Sequence, residues 1–180
     1  WLKKGQNEII VLDIVGPNIA KCEGLDKPLI DKLNIAKVKP RDSKIPDGLK
    51  NYTGNVEKGA FEGGNGWKEA KFSKPMTGRY VSLEALNNQE GTTRACVAEL
   101  YLLDQNGNRI SREAWKVVYA DREETDKGNC MAEKAYDLQE STYWSTVSGK
   151  QFPHTIIIDL GKEYTLTAIQ YLPRMESNVP

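Results

Sequence analysis

The sequence has little of several features that mark common functional classes. It contains one histidine and three cysteines among 180 residues, and no apolar run approaches the roughly 20 residues that a bilayer-spanning helix needs. Its 25 basic and 25 acidic side chains cancel, so the composition offers no electrostatic case for a nucleic-acid or anionic-membrane partner. We therefore expect a soluble globular protein of one or two domains, without a membrane span.

The cysteines and the first residue exclude further classes. Cys22, Cys96 and Cys130 are too few and too scattered for a disulfide framework or a Cys-x-x-Cys metal site, and we expect Cys96 to be buried in an apolar strand. The sequence starts at Trp1, and no basic start, apolar core and small-residue cleavage pattern follows. We interpret it as a fragment of a longer chain.

Motifs of catalysis are also missing. The single histidine, His154, follows Pro153, and no Gly-x-Ser-x-Gly elbow accompanies it, so we expect it in a loop or at the surface. The segment GGNGW lacks the apolar helix that phosphate binding needs after a Gly-rich loop, which indicates a turn. A group of carboxylates between two strands is typical of a hydrated loop: Asp121, Glu123, Glu124 and Asp126. We expect no catalysis within this fragment.

What the sequence does contain is a series of short strands. Residues 7–14 have the β-branched density of a strand and end at Gly16-Pro17, and residues 17–54 are rich in proline and lysine. From Gly59 onward the pattern predicts short strands separated by turns, with a turn at 104–107 and Trp144 in the core. The predicted strands are WKEAKF, GRYVSLEAL, CVAELYLLD, WKVVYAD, HTIIIDL and LTAIQYL. The predicted organisation is an upstream strand at 1–16, a linker or extended wrap at 17–54, and an all-β sandwich or jelly roll at 55–180.

One short stretch without periodicity is rich in oxygen ligands. It contains Lys134, Asp137, Gln139 and Thr142, and a bend there would turn a carboxylate, a hydroxyl and several carbonyls inward. Such a set suits a hard cation such as Ca²⁺, which takes oxygen ligands. The alternative is an Asx turn, in which Asp137 accepts a hydrogen bond from its own backbone. Spacing alone favours the Asx turn.

Two long segments resemble the halves of a known domain. AEKAYDLQESTYWST with PHTIIIDLGKEYTLTAIQYLPR is similar to the first half of a discoidin-like domain, the coagulation factor V/VIII C-type fold that includes carbohydrate-binding module family 32. GAFEGGNGWKEAKFSKPMTGRYVSLEALNNQEGTTRACVAELYLLD resembles the second half. The halves stand in reversed order, which implies a circularly permuted discoidin-like (galactose-binding-domain-like) β-sandwich, because chain termini in compact domains often lie close together.

The first residues carry a second resemblance. WLKKGQNEIIVLDIVGP followed by EGLDKPLIDKL resembles the end of the penultimate jelly-roll domain and the connector in bacterial β-galactosidases of glycoside hydrolase family 35. The resemblance implies that residues 1–16 are the last strand of an upstream jelly-roll domain. It also implies a periplasmic or secreted bacterial glycoside hydrolase whose catalytic domain lies upstream. Discoidin-like domains normally continue past the Pro-Arg loop into another strand, whereas this sequence ends at Pro180. We expect Trp1–Val15, of the same or a neighbouring molecule, to cover the resulting sheet edge.

The discoidin-like resemblance implies a structural cation, Ca²⁺ or Na⁺. In similar domains the ion is held by the turn before the Thr-x-Trp segment and by the Ala-Glu of the closing strand. Carried onto this sequence, the ligands are the Lys134 carbonyl, Asp137, the Gln139 carbonyl, Thr142, the Ala98 carbonyl and Glu99. Glu99 is then expected beside Asp137. The sequence departs from the family at Leu138, where glycine is usual.

The same resemblance implies a sugar site in the loops beside the ion. Arg174 matches a position often used for ligand, and Tyr143 and Trp67 are the nearest loop aromatics; an aromatic ring packs on a sugar while guanidinium groups bind hydroxyls. The implied partner is a galactose-containing glycan. The alternatives are that Arg174 pairs with a carboxylate, that Trp67 packs under its turn, and that the domain is purely architectural, which Ser145 in place of the family histidine favours.

Overall fold

In a computed structural model, the structure describes Arg41, residues 44–50 and residues 54–174. The predictions for residues 1–16, for most of 17–54 and for the edge after Pro180 lie outside the described residues. The only helical turns in the described part are short 3-10 segments at Asp47–Leu49 and Ala132–Ala135. The strands are Lys68–Ala85 (β1), Cys96–Val97 (β2), Glu99–Asp104 (β3), Lys116–Ala120 (β4), Trp144–Ser145 (β5) and His154–Leu172 (β6).

The main sheet is organised around β6, the longest strand. One edge of β6 pairs along its whole length with β1, from Ala85 opposite His154 to Lys68 opposite Tyr171. The other edge pairs first with β4 and then with β3. All of these pairings are antiparallel. Segments far apart in the sequence are thereby joined into one sheet, and β2 and β5 form a second, two-stranded sheet.

The core lies on the inward face of β6 and β3. Successive side chains of a strand point to opposite faces, and the inward positions of β6 are apolar and closed to solvent. Trp144, the largest fully buried side chain, is the β5 contribution, and its indole Nε1 donates to the Arg122 carbonyl at 3.0 Å. The expectation that Trp144 belongs to the core is confirmed. The other large apolar side chains that are fully buried are Leu100, Leu102, Ile156, Ile158, Leu160 and Leu172.

The predicted strands are present, but some of them merge. The segments predicted as separate strands on either side of Gly78 form one continuous strand, β1, and those on either side of Gly161 form β6. Gly161 has a φ of 84°, a left-handed conformation that costs glycine little. The pairing of β1 with β6 changes register between Gly78 and Tyr80, and this irregularity lets β1 continue past Gly78 as one strand. The predicted turn at 104–107 is confirmed, with Gly107 N donating to Asp104 O at 3.1 Å.

The prediction of a surface position for His154 is wrong. Its side chain is fully buried, with Nδ1 lying 3.0 Å from Asp121 Oδ2 and Nε2 lying 2.9 Å from the Thr93 carbonyl oxygen. Asp121 Oδ1 in turn accepts from Thr155 N at 3.0 Å. His154 therefore ties the start of β6 to two loops, because a buried polar group is stable only when its partners are present.

The prediction of a hydrated acidic loop between β4 and β5 is wrong for three of its four carboxylates. Asp121 bonds to His154, and the Glu123 side chain is buried, where Oε1 accepts from Ala132 N at 2.8 Å. Glu124 is also buried. Asp126 is exposed as expected. The acidic side chains stabilise the loop because they accept hydrogen bonds from backbone N–H groups that would otherwise be unpaired.

Two further sequence predictions concern thiols and membrane spans. Cys96 and Cys130 are free thiols and partly buried, so Cys96 lies in a strand as predicted but keeps some contact with solvent; Cys22 lies outside the described residues. Among the described residues, no helix has the length and apolar character needed to span a membrane.

Candidate functional site

A compact loop before β5 brings the predicted cation ligands together. We call the group formed by Glu99, Lys134, Asp137, Gln139 and Thr142 the acidic turn. Asp137 Oδ1 accepts from Gln139 N at 3.0 Å, and Thr142 Oγ1 lies 2.8 Å from both Asp137 oxygens. Thr142 N also donates to the Gln139 carbonyl at 2.9 Å. The hydrogen bond from Gln139 N to Asp137 is the Asx turn that spacing favoured.

Leu138 has the backbone conformation that the acidic turn requires. Its φ is 69°, which makes it the single non-glycine residue with positive φ among the described residues. A left-handed conformation is strained for leucine and easy for glycine. The turn therefore keeps its shape despite the departure from the family pattern, at the cost of backbone strain at Leu138, whose side chain is exposed.

Strand β3 begins at Glu99 and places this residue beside the other residues of the acidic turn. Glu99 is 1% exposed, and its Oε1 accepts from the same Gln139 N at 2.9 Å, so one backbone N–H is shared by two carboxylates. Its other oxygen, Oε2, pairs with Arg112 Nη1, which also donates to the Leu100 carbonyl at 3.0 Å. The structure brings Glu99 beside Asp137, although the two residues are far apart in sequence.

Burial dominates the electrostatics of Glu99. Loss of water raises the pKa of this carboxyl above its ordinary value, while the Arg112 pair and the Gln139 N–H oppose the rise and the neighbouring Asp137 carboxyl adds to it. The Arg112 guanidinium carbon lies over the Tyr101 ring, 3.8 Å from the ring centre. Two of its nitrogens, Nε and Nη2, are buried without a hydrogen-bond partner in the described part of the chain.

The acidic turn has the chemistry of a hard-cation site, but its charges are already balanced. Two carboxylates, a hydroxyl and the Gln139 carbonyl are the oxygen donors that Ca²⁺ prefers. Lys134 Nζ lies 2.9 Å from Asp137 Oδ2, and Arg112 pairs with Glu99, so two positive charges face two negative ones. The Lys134 side chain is one quarter exposed, so its ammonium can move away from Asp137 into solvent.

The residues of the acidic turn therefore fit a cation once the Lys134 ammonium moves away from the Asp137 carboxylate. Ala98 is buried next to Glu99, and its N–H donates to the Leu172 carbonyl at 3.0 Å. In the described ranges, no group of three or more acidic, histidine or cysteine side chains has metal-binding geometry. The carbonyl and hydroxyl ligands would thus have to supply most of the coordination.

Trp67 lies beside the acidic turn. Its Nε1 donates to Glu140 Oε1 at 3.2 Å, and its ring stacks on Tyr101 with centroids 5.4 Å apart. The Arg109 guanidinium carbon contacts both rings, 3.8 Å from the Tyr101 centre and 4.8 Å from the Trp67 centre. Trp67 is thus packed on neighbouring side chains and does not line the cleft that contains the other two predicted sugar contacts.

Arg174 and Tyr143 do lie together. The Arg174 guanidinium carbon is 4.4 Å from the centre of the Tyr143 ring, and both residues line a cleft of about 230 Å³. We call this the cationic cleft; its lining residues are Arg94, Glu124, Lys127, Gly128, Cys130, Tyr143, Ser145 and Arg174.

Backbone hydrogen bonds build the floor of the cationic cleft. Ser145 N in β5 donates to the Cys130 carbonyl at 3.2 Å, and Glu124 N donates to the Ser145 carbonyl at 2.8 Å. The loop from Glu124 to Cys130 therefore continues the small sheet past β5. Burial raises the pKa of the Cys130 thiol and of the Tyr143 hydroxyl above their ordinary values, so both are neutral near pH 7.

The cleft-lining charges differ in how they are satisfied. The one carboxylate, Glu124, is buried, and its Oε1 accepts from Asp126 N at 2.9 Å and Lys127 N at 3.2 Å. Arg94 Nε donates to Ser148 Oγ at 2.6 Å, a neutral partner. Within the described part of the chain, Arg94, Lys127 and Arg174 form no salt bridge.

Sequence reasoning missed Arg94, Lys127 and Arg112. Arg94 follows a threonine pair, Lys127 sits in the loop that we interpreted as hydrated, and Arg112 lies beyond a turn. None belongs to a spacing motif, because only the folded chain brings Arg94 and Lys127 to the cleft and Arg112 to Glu99. The one available signal was the Lys-Gly-Asn run at 127–129, which is typical of a turn that presents its lysine to solvent.

Comparison with known proteins finds a family model that matches part of the chain. Residues 113–179 match the family model of the F5/8 type C domain. Such domains are discoidin-like β-sandwiches that bind carbohydrates or other ligands, and the described strands have this fold. The matched range includes β4, β5, β6 and the turn between them, and begins after β1 to β3. No curated protein matches the sequence significantly.

Proposed function

We propose that this chain is a non-catalytic carbohydrate-binding module for galactose-containing glycans. Its parent is then a periplasmic or secreted bacterial glycoside hydrolase, a β-galactosidase whose catalytic domain lies upstream. The F5/8 type C match supports the binding role, and the parent rests on the resemblance of the first residues to the connector of family 35 enzymes. We expect the isolated chain not to hydrolyse a chromogenic galactoside.

The observation that carries the proposal is the pairing of Arg174 with Tyr143 in the cationic cleft. The guanidinium lies 4.4 Å from the ring centre, so the ring fixes the direction of the Arg174 donors. A guanidinium presents five N–H donors and no acceptor, and a sugar offers hydroxyl oxygens that accept them. A preoriented arginine loses less side-chain entropy on binding than a free one.

The test is isothermal titration calorimetry with galactose and lactose. We expect weak binding that Arg174→Ala abolishes and that a matched change outside the cleft, Arg79→Ala on β1, leaves intact. A glycan array extends the search to other sugars. Silence of the wild-type protein in calorimetry and across the array would contradict the proposal.

That silent outcome favours the second candidate, an architectural domain that packs on the catalytic part. One feature supports it: Ser145, in place of the family histidine, is 3% exposed and gives the cleft no imidazole. The architectural role predicts that the chain stabilises its catalytic domain in a full-length comparison, whereas the binding role does not require it.

We infer that residues 55–112 and 113–180 are the two halves of one circularly permuted domain. The support is that β1 and β3, which precede the matched range, both pair with β6 inside it. Residues 113–180 alone would leave both edges of the second half of β6 without a partner. We expect that fragment to lack cooperative unfolding by circular dichroism; a folded fragment would contradict the inference.

We further propose that the acidic turn holds a structural Ca²⁺ or Na⁺. Asp137, Thr142, Glu99 and the carbonyls of Lys134, Gln139 and Ala98 would hold it, and the ion would supply charge compensation for two neighbouring carboxylates. The Lys134 ammonium competes for Asp137, so Lys134→Gln keeps the carbonyl ligand and removes the competitor.

Thermal unfolding of metal-stripped protein with added Ca²⁺ tests this ion. A ligand that binds only the native state raises the melting temperature, and we expect a larger rise in the Lys134→Gln variant. An unchanged melting temperature in both proteins would count against the ion. The matched control is Lys71→Gln, which removes an exposed lysine of β1 away from the turn.

A further inference from the structure

The cationic cleft has an excess of positive charge that no described carboxylate neutralises. Three of its lining side chains are cationic, namely Arg94, Lys127 and Arg174, and one is acidic. The acidic one, Glu124, is buried and accepts two backbone N–H groups through Oε1. The three cations form no salt bridge within the described residues, although the whole chain has as many acidic as basic side chains.

The aromatic ring of the cleft is arranged for polar recognition. Arg174 lies over the Tyr143 ring, so that face of the ring orients a guanidinium and is covered against stacking by a sugar. A guanidinium held by an aromatic ring is well placed for a planar carboxylate or a sulfate, which it binds through two parallel hydrogen bonds. A neutral hydroxyl group accepts from fewer of the guanidinium N–H donors than a carboxylate or a sulfate does.

The size of the cleft limits the ligand. At about 230 Å³ it lies below the range of roughly 300 to 1,000 Å³ that is usual for drug-sized ligands. One sugar unit fills such a space, and the rest of a glycan would extend into solvent. An anionic group on that one unit would meet all three cations.

We propose that the cationic cleft binds an acidic sugar unit, one that carries a carboxylate or a sulfate. Arg174 and Lys127 contact the anionic group, and Arg94 contributes to the positive field from the opposite loop. This inference rests on the proposed carbohydrate-binding function and narrows its ligand from neutral galactose to an acidic derivative.

The experiment compares four probes by calorimetry at low and at physiological ionic strength: galactose, galacturonic acid, galactose 6-sulfate and inorganic sulfate. We expect the two acidic sugars to bind at least about tenfold more tightly than galactose, because charge-assisted hydrogen bonds are about twice as strong as neutral ones. Added salt should weaken the acidic sugars and leave galactose nearly unchanged.

Two variants localise the effect. Lys127→Gln should lower the affinity for the acidic sugars about tenfold with little change for galactose, and its melting temperature should stay at the wild-type value. Lys71→Gln removes the same charge from the exposed face of β1 and should change neither affinity. Equal losses in the two variants would show a diffuse field effect and overturn the proposal.

The outcomes separate this inference from the proposed function. Equal binding of galactose and galacturonic acid would overturn the acidic preference and leave carbohydrate binding intact. Binding of inorganic sulfate as tight as that of galactose 6-sulfate would also overturn it, because the cleft would then be a plain anion site. Failure of every sugar to bind would overturn both proposals.

Discussion

The acidic turn and the cationic cleft are neighbouring regions whose charged side chains have opposite arrangements. In the acidic turn, Glu99 faces Arg112 and Asp137 faces Lys134, so every carboxylate has a cationic partner. In the cationic cleft, the single carboxylate accepts hydrogen bonds from backbone N–H groups, and the three cations form no salt bridge within the described residues. The two regions are joined through Thr142 and Tyr143, which are consecutive in the chain.

This comparison separates charged side chains that stabilise the fold, in the acidic turn, from charged side chains that can bind a ligand, in the cationic cleft. A buried charge is tolerated only with a partner, because its transfer out of water is costly. An unpaired cation at a solvent-filled cleft costs little and binds an anion readily. Changes in the acidic turn should therefore alter the free energy of unfolding, and changes in the cationic cleft should alter binding alone.

The largest expected effect follows from breaking the buried pair. Arg112→Met leaves the Glu99 carboxylate buried beside Asp137 without its cation, and we expect it to lower the free energy of unfolding by about 3 to 5 kcal/mol. Urea denaturation monitored by tryptophan fluorescence measures this. The double variant Glu99→Met/Arg112→Met should recover part of the loss, because an apolar pair avoids the cost of burying charge.

The control for that change is Arg79→Met, which breaks the exposed pair of Arg79 with Asp159. Its loss should be much smaller, since water already screens both partners. An Arg112→Met variant no less stable than Arg79→Met would contradict the assignment of Glu99 and Arg112 as a structural pair.

A second comparison uses pH to set the fully buried carboxyl of Glu99 against the partly buried carboxyl of Asp159. Burial raises the pKa of Glu99 above its ordinary value of 4.5, so its contribution to stability is present below pH 4.5 and is lost as the pH rises through the folded-state pKa. The hydrogen bonds from Arg79 lower the pKa of Asp159 below its ordinary value of 3.8. Its contribution is therefore present above pH 3.8 and is lost as the pH falls through the folded-state pKa.

Urea denaturation from about pH 3 to pH 7 measures both contributions. The stability difference between wild type and Glu99→Gln should shrink as the pH rises, and the difference between wild type and Asp159→Asn should grow. A wild-type advantage over Glu99→Gln that increases with pH would mean that the Arg112 pair outweighs burial.

A smaller effect is expected at Leu138, where the acidic turn holds leucine at a φ of 69°. Leu138→Gly relieves roughly 1 to 2 kcal/mol of left-handed strain and adds about 0.5 to 1 kcal/mol of backbone entropy cost. We expect a net gain of about 0.5 kcal/mol in the free energy of unfolding, measured by urea denaturation. Leu86 is also exposed and has no positive φ, so Leu86→Gly should lose stability instead.

The smallest expected effect on the free energy of unfolding is that of a change in the cationic cleft. Lys127→Gln in the cationic cleft should change the free energy of unfolding by no more than about 0.5 kcal/mol, because the exposed lysine has no described salt-bridge partner. Urea denaturation next to Arg112→Met gives the comparison directly. A loss comparable to that of Arg112→Met would make Lys127 part of the scaffold and remove the distinction between the two regions.

Much of the fold followed from the sequence, and less of the candidate site did. Alternating apolar residues predicted the strands, and the glycine at 107 predicted its turn, because strand and turn preferences act over a few residues. The Asx turn at Asp137 is equally local. The approach of Glu99 to Asp137 was predicted through resemblance to the discoidin-like family, since the spacing of the two residues contains no such information.

The errors have a common physical cause. His154, Asp121 and Glu123 were assigned to the surface because charged and polar residues in loops are usually hydrated. Their partners are the Thr93 carbonyl, the Thr155 N–H and the Ala132 N–H, which no local pattern reveals. Polar side chains can be buried wherever the fold supplies such partners.

By itself, the sequence determined which segments become strands and turns, and that the chain is rich in charge without a net excess. Only the tertiary structure decided which charges are paired. The turn after β3 leads the chain back along that strand and brings Arg112 to Glu99, and the folded chain places Arg94, Lys127 and Arg174 around one cleft. The physical reason is range: backbone preference is set by neighbours in sequence, whereas electrostatic pairing depends on distances that only the folded chain defines.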